Sequence, residues 1–157
     1  MTKEHPKWFQ SWFDTSYYHL LYKHRNFKEA EFFIKNIVAY LNLEKGDSVL
    51  DLACGKGRHS IFLNSLGFHV TGLDLSKNSI EHAKTNESNS LHFKVHDMRD
   101  PFKSKFEVVF NLFTSFGYFE KDEDNFKVIQ TIKSSLKHNG IGVIDFMNSP
   151  VVIDNLV

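Results

Sequence analysis

Four polar side chains stand where four short apolar runs end, and this regular placement is the first sign of a binding site. Asp51, Asp74 and Asp97 follow or end three of these runs, and Asn111 ends the fourth. A polar residue at one strand end is usually a turn or helix-capping residue. If the runs are parallel strands, however, their carboxyl ends share one edge of the sheet, where α/β proteins bind ligands. The coincidence therefore favours a ligand site.

The glycine turn in VLDLACGKGRHS (residues 49–60) limits what this site can bind. A dinucleotide loop reads G-x-G-x-x-G, and counted from Gly55 its third glycine falls on Ser60. Asp51 would also bring a carboxylate close to a diphosphate, where like charges repel at short range. A Walker loop is excluded because no G-K-[ST] follows the turn. The turn therefore favours a ligand without phosphate and with positive charge at this end.

S-adenosylmethionine is such a ligand, because it carries an ammonium and a sulfonium group and has no phosphate. Asp51 can accept a hydrogen bond from the ammonium, directly or through water, and the glycines allow a close approach to the backbone. Asp74 is placed to accept from both ribose hydroxyls. Asp97 can accept from the exocyclic amine of adenine, and Met98 can supply an apolar contact to the ring.

The elements that must position these residues alternate along the chain. Apolar runs predict five strands, at 49–52, 68–73, 91–95, 106–112 and 141–146. Helical spacing and caps predict helices at 28–43, 58–66, from the Ser76 N-cap to about Lys84, and from Asp122 or Asp124 to Leu136. This alternation predicts an α/β fold, a doubly wound Rossmann-like parallel sheet with strand order 3-2-1-4-5 and a helical cap at the N-terminus.

Composition narrows the class of protein. The 157 residues fit one domain, and 41% hydrophobic with 24% charged residues are typical of a globular chain. Basic and acidic residues are equal at 19 each, so charge gives no reason to expect nucleic acid or an anionic membrane as partner. The single Cys54 cannot form an internal disulfide, and no signal or membrane-spanning run is present, which predicts a cytoplasmic protein.

Five segments together resemble the class I S-adenosylmethionine-dependent methyltransferases. They are VLDLACGKGRHS, VTGLDLS, HDMRD, FEVVFNLFTSFGYF and GIGVIDFMN, in this order between about residues 46 and 148. The N-terminal stretch WFDTSYYHLLYKHRNFKEAEFFI is similar to the lead-in of bacterial small-molecule methyltransferases. The resemblance implies transfer of a methyl group from S-adenosylmethionine to a small molecule by in-line displacement, without a covalent enzyme intermediate.

The resemblance also assigns cofactor-binding roles to particular residues. It implies a methionine side at Asp51, Ala53, Cys54, Gly55 and Gly57, a ribose contact at Asp74 and Leu75, an adenine contact at Asp97 and Met98, and Asn111 near the transferred methyl. Cys54 is a small residue in a tight turn rather than a nucleophile paired with His59. Arg25 with Tyr22 either holds the cofactor carboxylate or roofs the substrate, or simply packs as part of a helix.

The sequence offers several candidates for catalytic side chains and does not choose among them. If the acceptor must lose a proton, His19, His24 or a tyrosine are candidates for the general base, and Tyr118 lies in FTSFGYF, which is either a substrate wall or a hydrophobic plug. No metal site is expected, because His92 and His96 share a strand face without a third ligand at a recognisable spacing.

Two departures from the family pattern limit the prediction. Residues 111–114 read NLFT, where methylases of DNA adenine or protein glutamine carry a prolyl-prolyl-aromatic sequence, so a nucleic-acid substrate is not expected. The family usually continues past strand five with a helix and antiparallel strands 6 and 7. We therefore expect a single domain, with a cap at 1–45 and a C-terminally truncated core at 46–157, whose exposed strand edge allows a homodimer.

Two other functions stay open. One is a nicotinamide-dependent oxidoreductase on a similar sheet, against which Asp51 and Ser60 argue. The other is a module that binds S-adenosylmethionine without catalysis, which a truncated core would permit.

Overall fold

In the computed structural model, the described residues are 12–13, 15–21 and 27–156, without the side chains of residues 16, 18 and 19. The elements follow in chain order. They are α1 Ser16–Leu21, α2 Phe27–Leu41, β1 Ser48–Leu52, α3 Arg58–Ser65, β2 His69–Asp74, α4 Lys77–Lys84, β3 Leu91–Val95, β4 Phe106–Asn111, α5 Asp122–Ser135, β5 Leu136–Ile144 and α6 Ser149–Asp154.

The five strands form one parallel sheet with the order β3-β2-β1-β4-β5, which confirms the predicted topology. β1 is central, and its residues Val49, Leu50 and Leu52 are fully buried. Alternate side chains enter two cores, one on each face of the sheet. Val49 packs in the core that includes Ile34 of α2, and Leu50 in the core that includes Val128 of α5. Helices therefore cover both faces and hold the strand ends in place.

The local signals for the helix that follows β2 are confirmed. Ser76 is the N-cap of α4, and its hydroxyl accepts a hydrogen bond from the Ser79 backbone N–H. The predicted cap of α5 is wrong, since Lys121 is the N-cap and no side chain caps it. Asp122 and Asp124 lie in the first turn instead, where carboxylates interact favourably with the helix dipole.

The predicted start of β5 is also wrong. α5 ends at Ser135, and β5 begins at Leu136 without a separate loop. Phe106 pairs with Leu136, but Val108 pairs with Ile141, so the ladder is interrupted by a bulge. Asn139 has a φ of 61° in this bulge. The Asn-Gly pair therefore bends a strand rather than separating a helix from one.

The two glycines of the turn after β1 are needed for different reasons. Gly57 has a φ of 81°, and a Cβ there would lie 2.6 Å from Cζ of Phe93 in β3. Gly55 has a φ of 56° and no atom within 4 Å of the same position. Core packing requires Gly57, whereas Gly55 faces open space at the edge of the sheet.

Among the described residues, no helix is long and apolar enough to cross a bilayer.

We predict that this difference appears in stability. Gly57→Ala should lower the free energy of unfolding by about 3 kcal/mol, because it combines left-handed strain with a steric clash in the core. Gly55→Ala should cost only about 1 kcal/mol, from the strain alone. Urea denaturation measures both. Phe93→Leu combined with Gly57→Ala should cost less than the sum of the two single changes, and additive costs would show that the clash is not the cause.

Candidate functional site

The four polar residues lie at one edge of the sheet, as the sequence predicted. Asp51 lies near the end of β1, Asp74 and Asn111 end β2 and β4, and Asp97 follows β3 by two residues. Because the strands are parallel neighbours, all four residues lie at the carboxyl edge of the sheet. The structure places these residues as the sequence predicts.

Asp51 is a carboxylate with almost no access to water. It is 1% exposed, and the Ser60 hydroxyl donates a hydrogen bond to its Oδ2 over 2.5 Å. Burial raises the pKa of Asp51 to about 6, and the nearby charge of Asp74 acts in the same direction. The Ser60 hydrogen bond and Arg58 oppose this rise without cancelling it. The ionised form of Asp51 is therefore poorly compensated by the protein.

Asp74 has a structural role that the sequence did not predict. Its Oδ2 accepts from the Gly55 backbone N–H over 2.7 Å, and its Oδ1 accepts from the Ser76 N–H over 2.8 Å. The carboxylate thus ties the glycine turn to the start of α4. The spacing Asp-x-Ser before a helix is the sequence signal for the second contact.

The turn is held to β2 by its backbone as well. The N–H groups of Ala53 and Cys54 both donate to the Leu73 carbonyl, over 2.7 and 3.0 Å. Ala53 has a φ of 67°, which strains a residue with a side chain. Strained backbone held by its surroundings is typical of functional turns. Leu75, which follows Asp74, is half-buried beside this turn.

The Cys54 thiol is not an activated nucleophile. The residue is 8% exposed, and burial together with the charges of Asp51 and Asp74 raises the thiol pKa well above its ordinary value. His59 is equally buried, and burial with the charge of Arg58 lowers its pKa to about 3. Both side chains are therefore neutral near pH 7, as a packing role requires.

Asp97 is bound to a residue that the sequence analysis overlooked. Arg99 donates from Nε to Oδ1 over 3.0 Å and from Nη2 to Oδ2 over 2.6 Å. Arg99 also donates from Nη1 to Asp124 Oδ2 over 3.1 Å. Met98, between the two, is half-buried and packs against the core. Arg99 lies within the quoted segment HDMRD, but no local pattern shows that Asp124 is its second partner.

Asn111 is fully buried at the end of β4. Its Nδ2 donates to the Leu52 carbonyl over 2.9 Å, and its Oδ1 has no partner among the described residues. Beyond it, Phe113 and Thr114 have φ values of 61° and 55°. The Phe113 N–H donates to Asp145 Oδ2 over 2.9 Å. Asp145, which the sequence analysis did not single out, therefore holds the strained turn in place.

Side chains from the N-terminal region reach the same edge. Arg58 at the start of α3 donates to Glu29 of α2 over 2.9 Å, and its guanidinium lies 5.1 Å from the Phe113 ring centre. The rings of Phe13 and Tyr118 meet edge to face at 5.4 Å. These contacts join the N-terminal region to residues 113–119, which we call the aromatic loop.

Several predicted residues lie outside the part of the chain that the structure describes. These are Tyr22, His24 and Arg25, together with the side chain of His19. Their proposed roles stay predictions. Within the described ranges, no cluster of three or more histidine, cysteine or acidic side chains is arranged to hold a metal ion.

Comparison with known proteins identifies the family of the chain. The profile described as Methyltransferase domain matches residues 43–155. The glycine/sarcosine N-methyltransferase of Aphanothece halophytica is 31% identical over 136 residues, which are 83% of this chain and 50% of that protein. The chain spans about half the length of the curated relatives it matches.

Solved structures agree with the fold. DesVI of Streptomyces venezuelae superposes with a TM-score of 0.70 at 27% identity, covering 83% of this chain and 56% of that chain. An S-adenosylmethionine-dependent methyltransferase of Clostridium acetobutylicum superposes with a TM-score of 0.69 at 25% identity, covering 83% and 54%.

We predict that the buried charge of Asp51 costs stability. Its pKa rises from 3.8 to about 6, so the ionised carboxylate destabilises the fold above pH 6, by about 3 kcal/mol. As the pH falls from 6 towards 4, Asp51 becomes protonated in the folded state while it is still ionised in the unfolded chain. The cost of the buried charge therefore disappears. Asp51→Asn should therefore raise the free energy of unfolding at pH 8 and leave it nearly unchanged at pH 4. Urea denaturation at both pH values measures the difference.

The comparison between variant and wild type is needed because His59 acts in the opposite direction. Its pKa of about 3 lies below that of the unfolded chain, so stability is lost as the pH falls below 6.5. Asp100→Asn, which removes an exposed carboxylate, is the control. A loss of stability at pH 8 in Asp51→Asn would contradict the interpretation.

Proposed function

The chain belongs to the methyltransferase domain family, and we propose that it transfers the methyl group of S-adenosylmethionine to a small-molecule acceptor. The observation that carries this proposal is the buried Asp51 carboxylate, which lies beside a glycine turn without a cationic partner close enough to bring its pKa back to normal. A ligand ammonium supplies that missing charge. A diphosphate would add to the negative charge instead.

The other residues of the edge fit the rest of this cofactor. The open space at Gly55 lets a ligand approach the backbone. Asp74, which ends β2 at the same edge, is the proposed acceptor for the ribose hydroxyls. The unpartnered Oδ1 of Asn111 is a buried acceptor next to the same turn, and leaving it unpaired costs free energy. Together these groups support a ligand that is rich in donors.

Catalysis by this chain consists mainly of orientation. S-adenosylmethionine supplies an electrophilic methyl, whose bond to sulfur breaks as the lone pair of the acceptor forms the new bond. Asp51 and Asp74 fix the ammonium and the ribose, which lie on either side of the sulfonium, so that the methyl points in one direction. The rings of the aromatic loop exclude water from the line of attack. Such positioning lowers the barrier by several kcal/mol without a covalent enzyme intermediate.

We propose a nitrogen acceptor, an amine on a small molecule. The support is the named activity of the Aphanothece relative, which methylates the nitrogen of glycine and sarcosine. An amine attacks only as the free base, so the acceptor must lose its proton before transfer.

Binding of S-adenosylmethionine should depend on pH through Asp51. The free protein must ionise Asp51 before the ammonium binds, and its pKa is about 6. Affinity should therefore be about tenfold lower at pH 5 than at pH 7, as measured by titration calorimetry. Asp51→Asn should bind more weakly and lose this dependence. A wild-type affinity that does not change between pH 5 and pH 7 would contradict the assignment.

Asp74→Asn should weaken binding by about tenfold, because a neutral amide accepts less strongly from ribose hydroxyls. The thermal midpoint of the free variant shows whether the turn is still folded.

Tight binding of NADH without binding of S-adenosylmethionine would overturn the proposed function in favour of an oxidoreductase. Cofactor binding without methyl transfer to any of a panel of amines would favour the silent module.

A further inference from the structure

Arg58 connects three segments that meet at the carboxyl edge of the sheet. It begins α3, its Nη1 donates to Glu29 Oε2 in the first turn of α2 over 2.9 Å, and its side chain is 19% exposed. Its guanidinium carbon lies 5.1 Å from the ring centre of Phe113 in the aromatic loop. We propose that Arg58 is a positioning residue that links the aromatic loop to α2 and so holds the loop across this edge, where it slows release of the cofactor. The role in release rests on the proposed function.

Arg58 and Phe113 lie beside the two strand ends that carry the candidate site. Arg58 follows the glycine turn after β1, and Phe113 follows Asn111, the last residue of β4, by two positions. β1 and β4 are neighbours in the sheet. Burial raises the pKa of Asp51, and the charge of Arg58 lowers it, so the guanidinium lies near the buried carboxylate. The contact between Arg58 and Phe113 therefore bridges β1 and β4 where we propose that the cofactor binds.

The aromatic loop needs such a support because its first residues are strained. Phe113 and Thr114 have φ values of 61° and 55°, which are unfavourable for residues with a Cβ. Asp145 holds the backbone of Phe113, since its Oδ2 accepts from the Phe113 N–H over 2.9 Å. Arg58 acts on the ring of the same residue, because a guanidinium over an aromatic face is attracted by it. The strained turn is thus held by its backbone and by its side chain.

The other end of the connection is a packed helix. Phe33, one helical turn after Glu29, meets His59 with the ring centres 6.3 Å apart, and it packs against the buried core. α2 therefore packs on α3 at two successive residues, Arg58 and His59. Glu29 is a partner in a fixed position, which restrains the Arg58 guanidinium beside Phe113.

Amide hydrogen exchange at position 113, followed by NMR on the full chain, measures how often the aromatic loop opens. Arg58→Met should raise this exchange rate by about tenfold, the size expected for losing a largely desolvated contact between a cation and a ring. Arg58→Lys keeps the charge and should restore most of the protection. Amides of β1 report global unfolding in the same experiment. An equal rise in β1 and at position 113 would mean general destabilisation and would overturn the proposal.

Glu29→Gln separates support of the loop from the effect of Arg58 on Asp51, because it keeps the guanidinium charge. It should still raise exchange at position 113, by about threefold, as expected for the loss of one partly exposed ion pair. Combined with Phe113→Leu, Glu29→Gln should add almost nothing, since the ring that Arg58 holds is gone. Independent, additive effects of these two changes would contradict the proposed connection.

Release of the cofactor product is the functional measurement. Surface plasmon resonance on the immobilised full chain gives the dissociation rate constant of S-adenosylhomocysteine. Arg58→Met and Glu29→Gln should raise this constant in the same order as they raise exchange at position 113. A dissociation rate that stays at the wild-type value while the loop opens more often would overturn the role in release.

Lys35→Met is the matched control, because Lys35 makes the same two kinds of contact elsewhere on α2. Its Nζ lies 3.9 Å from Glu31 Oε2 and 5.5 Å from the ring centre of Phe62 in α3. Its loss should leave exchange at position 113 and the release of S-adenosylhomocysteine unchanged. Exchange that stays constant in Arg58→Met, or rises equally in Lys35→Met, overturns the proposal. A wild type that does not bind S-adenosylhomocysteine overturns the proposed function instead, while the exchange rates still test the connection to α2.

Discussion

A poorly compensated negative charge at the end of the central strand is the constraint on which the rest of this site depends. Asp51 is 1% exposed, and its donor is Ser60, whose hydroxyl lies 2.5 Å from Oδ2. Its pKa of about 6 measures how strongly the fold resists the charge. A protein selected for stability alone would place a neutral side chain there. The proposed cationic ligand removes this free-energy cost when it binds beside Asp51.

The surrounding turn is built to keep that charge in place. The Leu73 carbonyl and the Asp74 carboxylate, at the end of β2, hold the backbone of Ala53, Cys54 and Gly55 through three hydrogen bonds. Gly57 fits closely on the Phe93 ring and fixes the entry into α3. The turn therefore cannot relax away from Asp51 to let water in. Rigidity of the turn and burial of the charge are two effects of the same packing.

The sequence predicted what depends on short-range pattern. The alternation of apolar runs with helical segments predicted the strand order. The polar residues at four strand ends predicted which edge of the sheet carries the candidate site. Sequence pattern did not predict contacts between residues far apart in the chain. Arg99 meets Asp124 across 25 positions, and Phe113 meets Asp145 across 32. The start of β5 was missed for a related reason, since a bulge is set by pairing with β4 and not by local residue types.

In the proposed complex, two carboxylates at one edge recognise opposite ends of one ligand by different means. At Asp97 the protein supplies the compensating cation, Arg99, so that the carboxylate accepts from a neutral amine without needing a charged ligand. At Asp51, the charge of Arg58 acts on the carboxylate, but Arg58 is paired with Glu29, and the proposed ligand supplies the cation. A ligand bound in reverse would place its ammonium beside an already paired carboxylate and leave Asp51 uncompensated. In the proposed complex, the different partners of the two arginines therefore set the direction in which the ligand lies across the sheet.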